Sequence, residues 1–158
     1  MIESGLSPHV NLIDDIRKLD RKQEVPRDGP MSDILWSDPD KEVRTYCYQP
    51  RGAGYLFGEE YTVKFNRENN IHLIARAHQL IQERYQFLFN DKLVTVLSAP
   101  NYFPCGNDAS IMEFDEHMNR SFKIFEACPE NVRNQRDKKH TPEYFFKWSL
   151  IRNYSNEL

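Results

Sequence analysis

Cysteine is scarce: Cys47, Cys105 and Cys128 are the three that occur in 158 residues. They are odd in number and show no paired metal-ligand spacing, so a disulfide framework and a cysteine-built zinc site are both excluded as organising features, and ordinary reduced thiols are expected. Long apolar runs are lacking as well. None approaches the ~18–20 residues needed to span a bilayer, and the opening Met1-Ile2-Glu3-Ser4-Gly5 carries neither a basic nor an apolar region, so neither a membrane segment nor a leader is expected. An excess of one charge is missing too. Lys and Arg number 21 against 24 Asp and Glu, and the formal net charge of -3 gives no electrostatic reason to expect nucleic acid or an anionic membrane as a partner. Cytosolic or nuclear residence is the resulting expectation.

What is present fits one globular domain with a sizeable core: 39% of residues are apolar, with ten Phe and eight Tyr among them. The chain is organised around residues 71–102. Ile71-His72-Leu73-Ile74-Ala75 is short, apolar and β-branched enough for a strand, and Leu93-Val94-Thr95-Val96-Leu97 is the near-continuous apolar run of a strand covered on both faces. Between them Tyr85, Phe87 and Phe89 alternate with polar Gln86 and an extra apolar Leu88, and Asn90-Asp91 supplies turn chemistry, so residues 85–97 read as a hairpin. Each strand ends in polar residues, Arg76-Ala77-His78-Gln79 after the first and Ser98-Ala99-Pro100-Asn101-Tyr102 after the second.

Elsewhere the local signals are these. Asn11 stands where an N-cap belongs, with Asp14 and Asp15 in the first turn and Arg17 and Lys18 in the last, so an amphipathic helix is expected over 12–19. Pro26, Gly29 and Pro30 make a loop that leads to the apolar knot Ile34-Leu35-Trp36. Ser37-Asp38-Pro39-Asp40 reads as a solvated turn in which Asp38 accepts backbone N–H groups. Arg51 lies between Pro50 and Gly52, a loop in which a guanidinium can present a planar fork to phosphate oxygens. Gly58 precedes Glu59 and Glu60 at the start of a helix that ends near Asn69-Asn70, with Glu60 and Lys64 paired at i,i+4. Residues 111–114 and 122–125 form a second hairpin that completes a sheet edge. From Pro129 the chain turns polar and basic and reads as a flexible tail, after which Trp148, Leu150, Ile151 and Tyr154 have the spacing of a short amphipathic helix.

Four blocks taken together carry a family likeness: Leu35-Trp36-Ser37-Asp38-Pro39-Asp40, Pro50-Arg51-Gly52-Ala53-Gly54-Tyr55, Arg76-Ala77-His78-Gln79 and Ser98-Ala99-Pro100-Asn101-Tyr102. In order and spacing they resemble the carboxyl-terminal half of the metal-dependent protein serine/threonine phosphatases, and the type 2A catalytic subunit above all. The resemblance implies an α/β (α+β) fold, a partial metallophosphoesterase-type β-sandwich flanked by helices with its amino-terminal half missing. It divides the chain into catalytic-domain residues 1–128, a type 2A-like tail over 129–146 and an extension over 147–158.

The resemblance also assigns roles. Arg51 and Tyr102 match residues that meet the substrate phosphate, and His78 matches one metal ligand. Glu3 stands where the family has a metal-binding His, beside the chain start, where mobility is expected. The motifs Gly-Asp-x-His-Gly, Gly-Asp-x-x-Asp-Arg-Gly and Gly-Asn-His-Glu, which supply the other ligands and the catalytic His, do not occur. Two divalent metals, manganese, iron or zinc, belong to the family's site, and this chain alone is not expected to hold them stably. Tyr46-Cys47-Tyr48 replaces a family segment at the rim of the substrate groove. Thr141-Pro142-Glu143-Tyr144-Phe145-Phe146 resembles the type 2A terminal peptide, but here the chain continues to Leu158 and Phe146 has no free carboxylate.

The expected function is that of a type 2A-like phosphatase of phosphoserine and phosphothreonine proteins, represented by a truncated chain inactive alone. Two other readings stand beside it: a non-catalytic phosphatase-like protein that binds scaffold or regulatory subunits or phosphopeptides, and an enzyme half completed by a separate chain.

Overall fold

The computed structural model describes residues 1–102 and 105–129, so the tail beyond Pro129 and the 147–158 extension lie outside the described residues. Met1–Ala127 forms one compact unit. Its elements run α1 (Ile13–Arg17), α2 (Pro30–Trp36), β1 (Asp38–Pro39), β2 (Tyr46–Tyr48), β3 (Tyr55–Phe57), α3 (Glu59–Glu68), β4 (Ile74–Arg76), β5 (Tyr85–Leu88), β6 (Leu93–Val96), β7 (Ala109–Phe114) and β8 (Arg120–Phe125).

The strands form three groups. In the first sheet β3 is central, parallel to β1 and antiparallel to β2; in the second β6 is central, parallel to β4 and antiparallel to β5; β7 and β8 pair with one another. The buried run read from the sequence is β6, whose four residues are all buried and whose side chains alternate between two apolar clusters. Leu93 points into one cluster with Leu6, Phe57, Phe65, Ile74 and Leu88. Val94 and Val96 point into the other with Ala75, against which Leu73, Phe87, Met112 and Phe122 pack. The β4-β6-β5 sheet therefore separates two cores, as a mixed sheet covered on both faces must. The hairpin over 85–97 is present, and its turn places Phe89, Asn90 and Asp91 at φ 56, 50 and 60. The second hairpin does not extend that sheet by a ladder. It is a two-stranded sheet of its own, stacked through Phe122 on Tyr85, with ring centroids 3.7 Å apart, and tied by the Ser110 N–H to Leu97 C=O at 2.7 Å.

Several local expectations are corrected. Residues 12–19 give only a five-residue α1, because Leu12 rather than Asn11 is its N-cap and offers no side-chain oxygen. The cap comes from across the fold: Asn69 at the end of α3 accepts the Ile13 N–H on Oδ1 at 2.8 Å, while Asn11 accepts the Tyr61 hydroxyl at 2.7 Å. The apolar knot is the last turn of α2, a helix that Pro30 starts at N1, where its missing N–H costs nothing. The strand expected over 71–75 is shifted and shortened to β4. Glu60 pairs with Arg44 across the loop instead of with Lys64, which reaches Glu68 at 4.0 Å.

The chain start is not loose either. Ile2 N–H donates to Ala75 C=O and Ala77 N–H donates to Glu3 C=O, both at 3.0 Å, so residues 2 and 3 lie along the free edge of β4. Apolar hollows of about 260 and 370 Å³ flank Met1 and Ile2, lined by Ile16 together with Ile13 and Leu73 on one side and Met31 and Leu35 on the other.

Candidate functional site

Four chain segments end at one place: the start of β1, the loop before β3, the residues after β4 and the loop after β6. They enclose an open cleft of about 1040 Å³ whose lining includes Asp38, Gln49, Arg51, His78, Gln79 and Tyr102. The cleft thus brings together Arg51, His78 and Tyr102, the three residues singled out in the sequence, while Glu3 is not among its lining residues and its side chain is exposed.

At its base stands Asp38. The solvated turn expected over 37–40 is instead the start of a strand paired with β3, and Asp38 is 2% exposed. Ser37 is buried as well, its hydroxyl accepting the Tyr55 N–H at 3.0 Å. A carboxylate taken so far from water must be paired, and this one is. Oδ1 takes Arg76 Nη2 at 2.6 Å; Oδ2 takes Gln49 Nε2 at 2.8 Å and also Arg51 Nη2. Arg76 is wholly buried, and its remaining donors reach Ser4 C=O, Ser4 Oγ at 3.3 Å, Ser37 C=O at 3.4 Å and Gln79 Oε1 at 2.7 Å. Burial pushes the Arg76 guanidinium below its ordinary value, and Asp38 pulls it back. Asp38 therefore carries two arginines of different character, one sealed in the core and one, Arg51, with its side chain 56% exposed at the cleft.

Arg51 is placed there by its loop. Gly52 N–H returns to Gln49 C=O at 3.0 Å and Gln49 N–H to Gly54 C=O at 3.2 Å, closing a tight turn with Gly52 at φ 89 and Gly54 at φ 72. At Gly54 a side chain has no room: a Cβ would stand 2.7 Å from the Trp36 carbonyl carbon. Glycine at that position is what lets the Arg51 loop lie against the end of α2.

His78 follows β4 with φ 67, a left-handed conformation that a non-glycine residue adopts only when its surroundings hold it there. Its ring stands edge-on to Trp36, with centroids 5.4 Å apart at 90°. Burial pushes the imidazole below its usual value, Asp38 pulls against that fall, and the guanidiniums of Arg76 and Arg51 add to it. The imidazole Nε2 is buried without a hydrogen-bond partner. Tyr102 is held at the cleft mouth by its backbone: its N–H donates to Asn107 Oδ1 at 2.9 Å, and Asn107 Nδ2 donates to Ala99 C=O at 2.9 Å.

The donors do not fit a two-metal centre. Among the described residues no group of three or more His, Cys, Asp and Glu side chains could hold an ion. The carboxylate nearest in role, Asp38, has both oxygens engaged by donors, two of them guanidinium cations that would repel a metal ion at the same place. His78 remains a single nitrogen ligand, and one ligand does not retain a divalent cation. What the arrangement can do is bind an anion, through the outer guanidinium of Arg51 and the groups beside it.

Sequence reasoning located Arg51, His78 and Tyr102 but missed Asp38, Gln49 and Arg76 as the framework beneath them. Asp38 and Arg76 are 38 positions apart, and no local pattern joins them. The one available signal was that both close short apolar segments, Leu35-Trp36 and Leu73-Ile74-Ala75, where a charged residue is exposed or else paired.

Comparison with known proteins agrees with this geometry. A solved structure similar to the chain is a protein serine/threonine phosphatase from Saccharomyces cerevisiae, itself described as similar to human phosphatase PP5, with a TM-score of 0.70 and 31% sequence identity. The match covers 80% of this chain and 44% of that one, so the chain spans less than half the length of the phosphatase it resembles. Residues 2–82, which carry Asp38, Arg51, Arg76 and His78, match the calcineurin-like phosphoesterase family, whose members use divalent metals. The mixed fold, the cleft at the strand ends and a match over half its length lead to one conclusion: this chain belongs to the calcineurin-like phosphoesterase family.

Proposed function

We propose that the chain recognises the phosphoryl group of phosphoserine and phosphothreonine in proteins, as a type 2A-like phosphatase does, and does not hydrolyse it alone. The observation that carries this reading is the cleft itself, which brings Arg51 and Tyr102 together beside His78, while among the described residues no group of three or more His, Cys, Asp and Glu side chains could hold an ion. Arg51 supplies the charge-assisted hydrogen bonds. Tyr102 lends a hydroxyl at the cleft mouth, and the His78 ring lines the same cleft with its pKa lowered by burial.

Magnitudes decide between binding and turnover. A hydrogen bond to a charged group contributes about 1.5–3 kcal/mol, whereas enzymes lower barriers by about 8–23 kcal/mol. Positioning an anion with Arg51 and Tyr102 supports recognition and falls far short of catalysis. The scaffold and regulatory subunits expected as partners remain part of the same proposal, and the tail residues 141–146 that would argue for a type 2A identity lie outside the described residues.

The test is a paired measurement on the full chain. Binding of a phosphothreonine peptide is followed by calorimetry, and release of phosphate from it is followed with manganese present. Saturable binding weakened about tenfold or more by Arg51→Ala, with no release, is the expected result. Release that depends on manganese and disappears in both Arg51→Ala and His78→Ala would overturn it.

A further inference from the structure

The donors on Asp38 are not equivalent. Arg76 holds Oδ1 from inside the core, whereas Oδ2 is shared by Gln49 Nε2 at 2.8 Å and by Arg51 Nη2. Gln49 is 8% exposed and its backbone is pinned on both sides, by Gly54 C=O and by Gly52 N–H. The Arg51 side chain is 56% exposed. A fixed amide and a movable guanidinium therefore meet on one buried oxygen.

This sharing solves a physical problem. Arg51 gives Asp38 one nitrogen, Nη2; turning that nitrogen to a phosphate in the cleft takes it off Asp38, and a buried carboxylate oxygen stripped of its donor is costly. With Gln49 in place the oxygen keeps one hydrogen bond at all times. The amide also carries no charge, so Asp38 stays a single anion between the two guanidiniums of Arg76 and Arg51. A lysine at this position would hold Asp38 more tightly but would remain a competing cation; a glutamate would offer no donor at all.

We propose that Gln49 is a positioning residue that keeps Asp38 Oδ2 satisfied while Arg51 exchanges between Asp38 and a phosphate monoester in the cleft. The identity of the ligand rests on the reading given under Proposed function; the sharing of Asp38 Oδ2 does not.

A double-mutant cycle on the full chain tests, without any ligand, whether Gln49 keeps Asp38 satisfied when Arg51 is absent. Urea unfolding is compared for the wild-type chain, Arg51→Ala, Gln49→Met and the double variant, the methionine conserving volume while removing the donor. Losing Arg51 should change the unfolding constant by less than about threefold when Gln49 is present and by about tenfold or more when it is absent. Gln49→His, which keeps a neutral N–H donor, should restore the small effect. Arg44→Ala, which breaks an ion pair with Glu60 outside this network, should combine additively with Gln49→Met. Additive behaviour of Arg51 and Gln49, or a large Arg51→Ala effect in the histidine background, would overturn the proposal.

The second arm uses inorganic phosphate as the probe, titrated by calorimetry. Affinity about tenfold weaker in Gln49→Met, by the same linkage, is expected. A non-additive cycle in a chain that does not bind phosphate shows that Gln49 and Arg51 share Asp38 Oδ2 but overturns the exchange with phosphate. Phosphate binding that survives unchanged in Gln49→Met, with an additive cycle, sinks the role of Gln49 and leaves recognition standing.

Discussion

Asp38 Oδ1 lies 2.6 Å from Nη2 of Arg76, whose side chain is wholly buried, and this pair joins the start of β1 to the end of β4. Breaking such a pair strands a charge in the core. Arg76→Leu and Asp38→Leu should each lower the free energy of unfolding by about 3–5 kcal/mol, while the double variant, which leaves neither charge of the pair buried without the other, should cost less than the two single losses summed. Urea unfolding of the three variants checks this, and additive losses would show that the two groups are not coupled.

Two glycines in the Arg51 loop separate conformation from space. Gly52 has φ 89 with open space where a Cβ would stand; Gly54 has φ 72 with the Trp36 backbone 2.7 Å from that point. Alanine at Gly52 should cost about 1–2 kcal/mol of backbone strain. At Gly54 the strain adds to a clash with backbone that cannot swing aside, so the loss should be larger and phosphate affinity should fall with it. Equal stability of the two variants would show that the loop is free of Trp36.

Acid pH should favour the fold through Asp33. This carboxyl is buried at the end of the Ser7 hydroxyl bond, and burial holds its pKa above the ordinary 3.8. A raised folded-state value means that the folded chain binds the proton more readily than the unfolded one. The contribution is complete below the unfolded value and is lost as pH rises through the folded value. Asp33→Asn should therefore gain stability on wild type at pH 7 and lose that advantage towards pH 4. Chemical denaturation at the two pH values measures it, and a gap that widens in acid would reverse the sign of the shift.

Manganese or zinc at millimolar concentration should leave the melting temperature of the full chain unchanged, since a cation that binds the folded state stabilises it by mass action. A rise in melting temperature that His78→Ala removes would show a donor set completed by groups beyond those described.

The parts of the fold that could be read in the sequence were those set by local periodicity. The hairpin over 85–97 was visible because its turn residues and apolar run are contiguous, and β6 because a strand covered on both faces has no polar alternation to hide it. The same reasoning failed where a residue answers to a distant partner. Asp38 looked like a turn residue because Arg76 and Arg51 are invisible from its neighbours. Asn11 looked like an N-cap, yet the cap is Asn69. Arg51, His78 and Tyr102 were found through family likeness rather than periodicity, and the cleft brings all three together. The burial of the His78 ring nitrogen and the left-handed backbone that presents it had no sequence signal at all.

The Asn69 cap has a consequence for the order of folding. Five residues are too few for a helix to hold itself, so α1 depends on the core under Ile13 and Ile16 and on Asn69, which caps Ile13 and donates to Asn11 C=O at 2.8 Å. Those bonds close a loop of more than fifty residues, with separations of 56 and 58. Such a closure is slow and gains nothing until α3 has docked. Helix α1 is therefore a late arrival on the folding pathway, and substitutions in it should speed unfolding while leaving the refolding rate almost untouched.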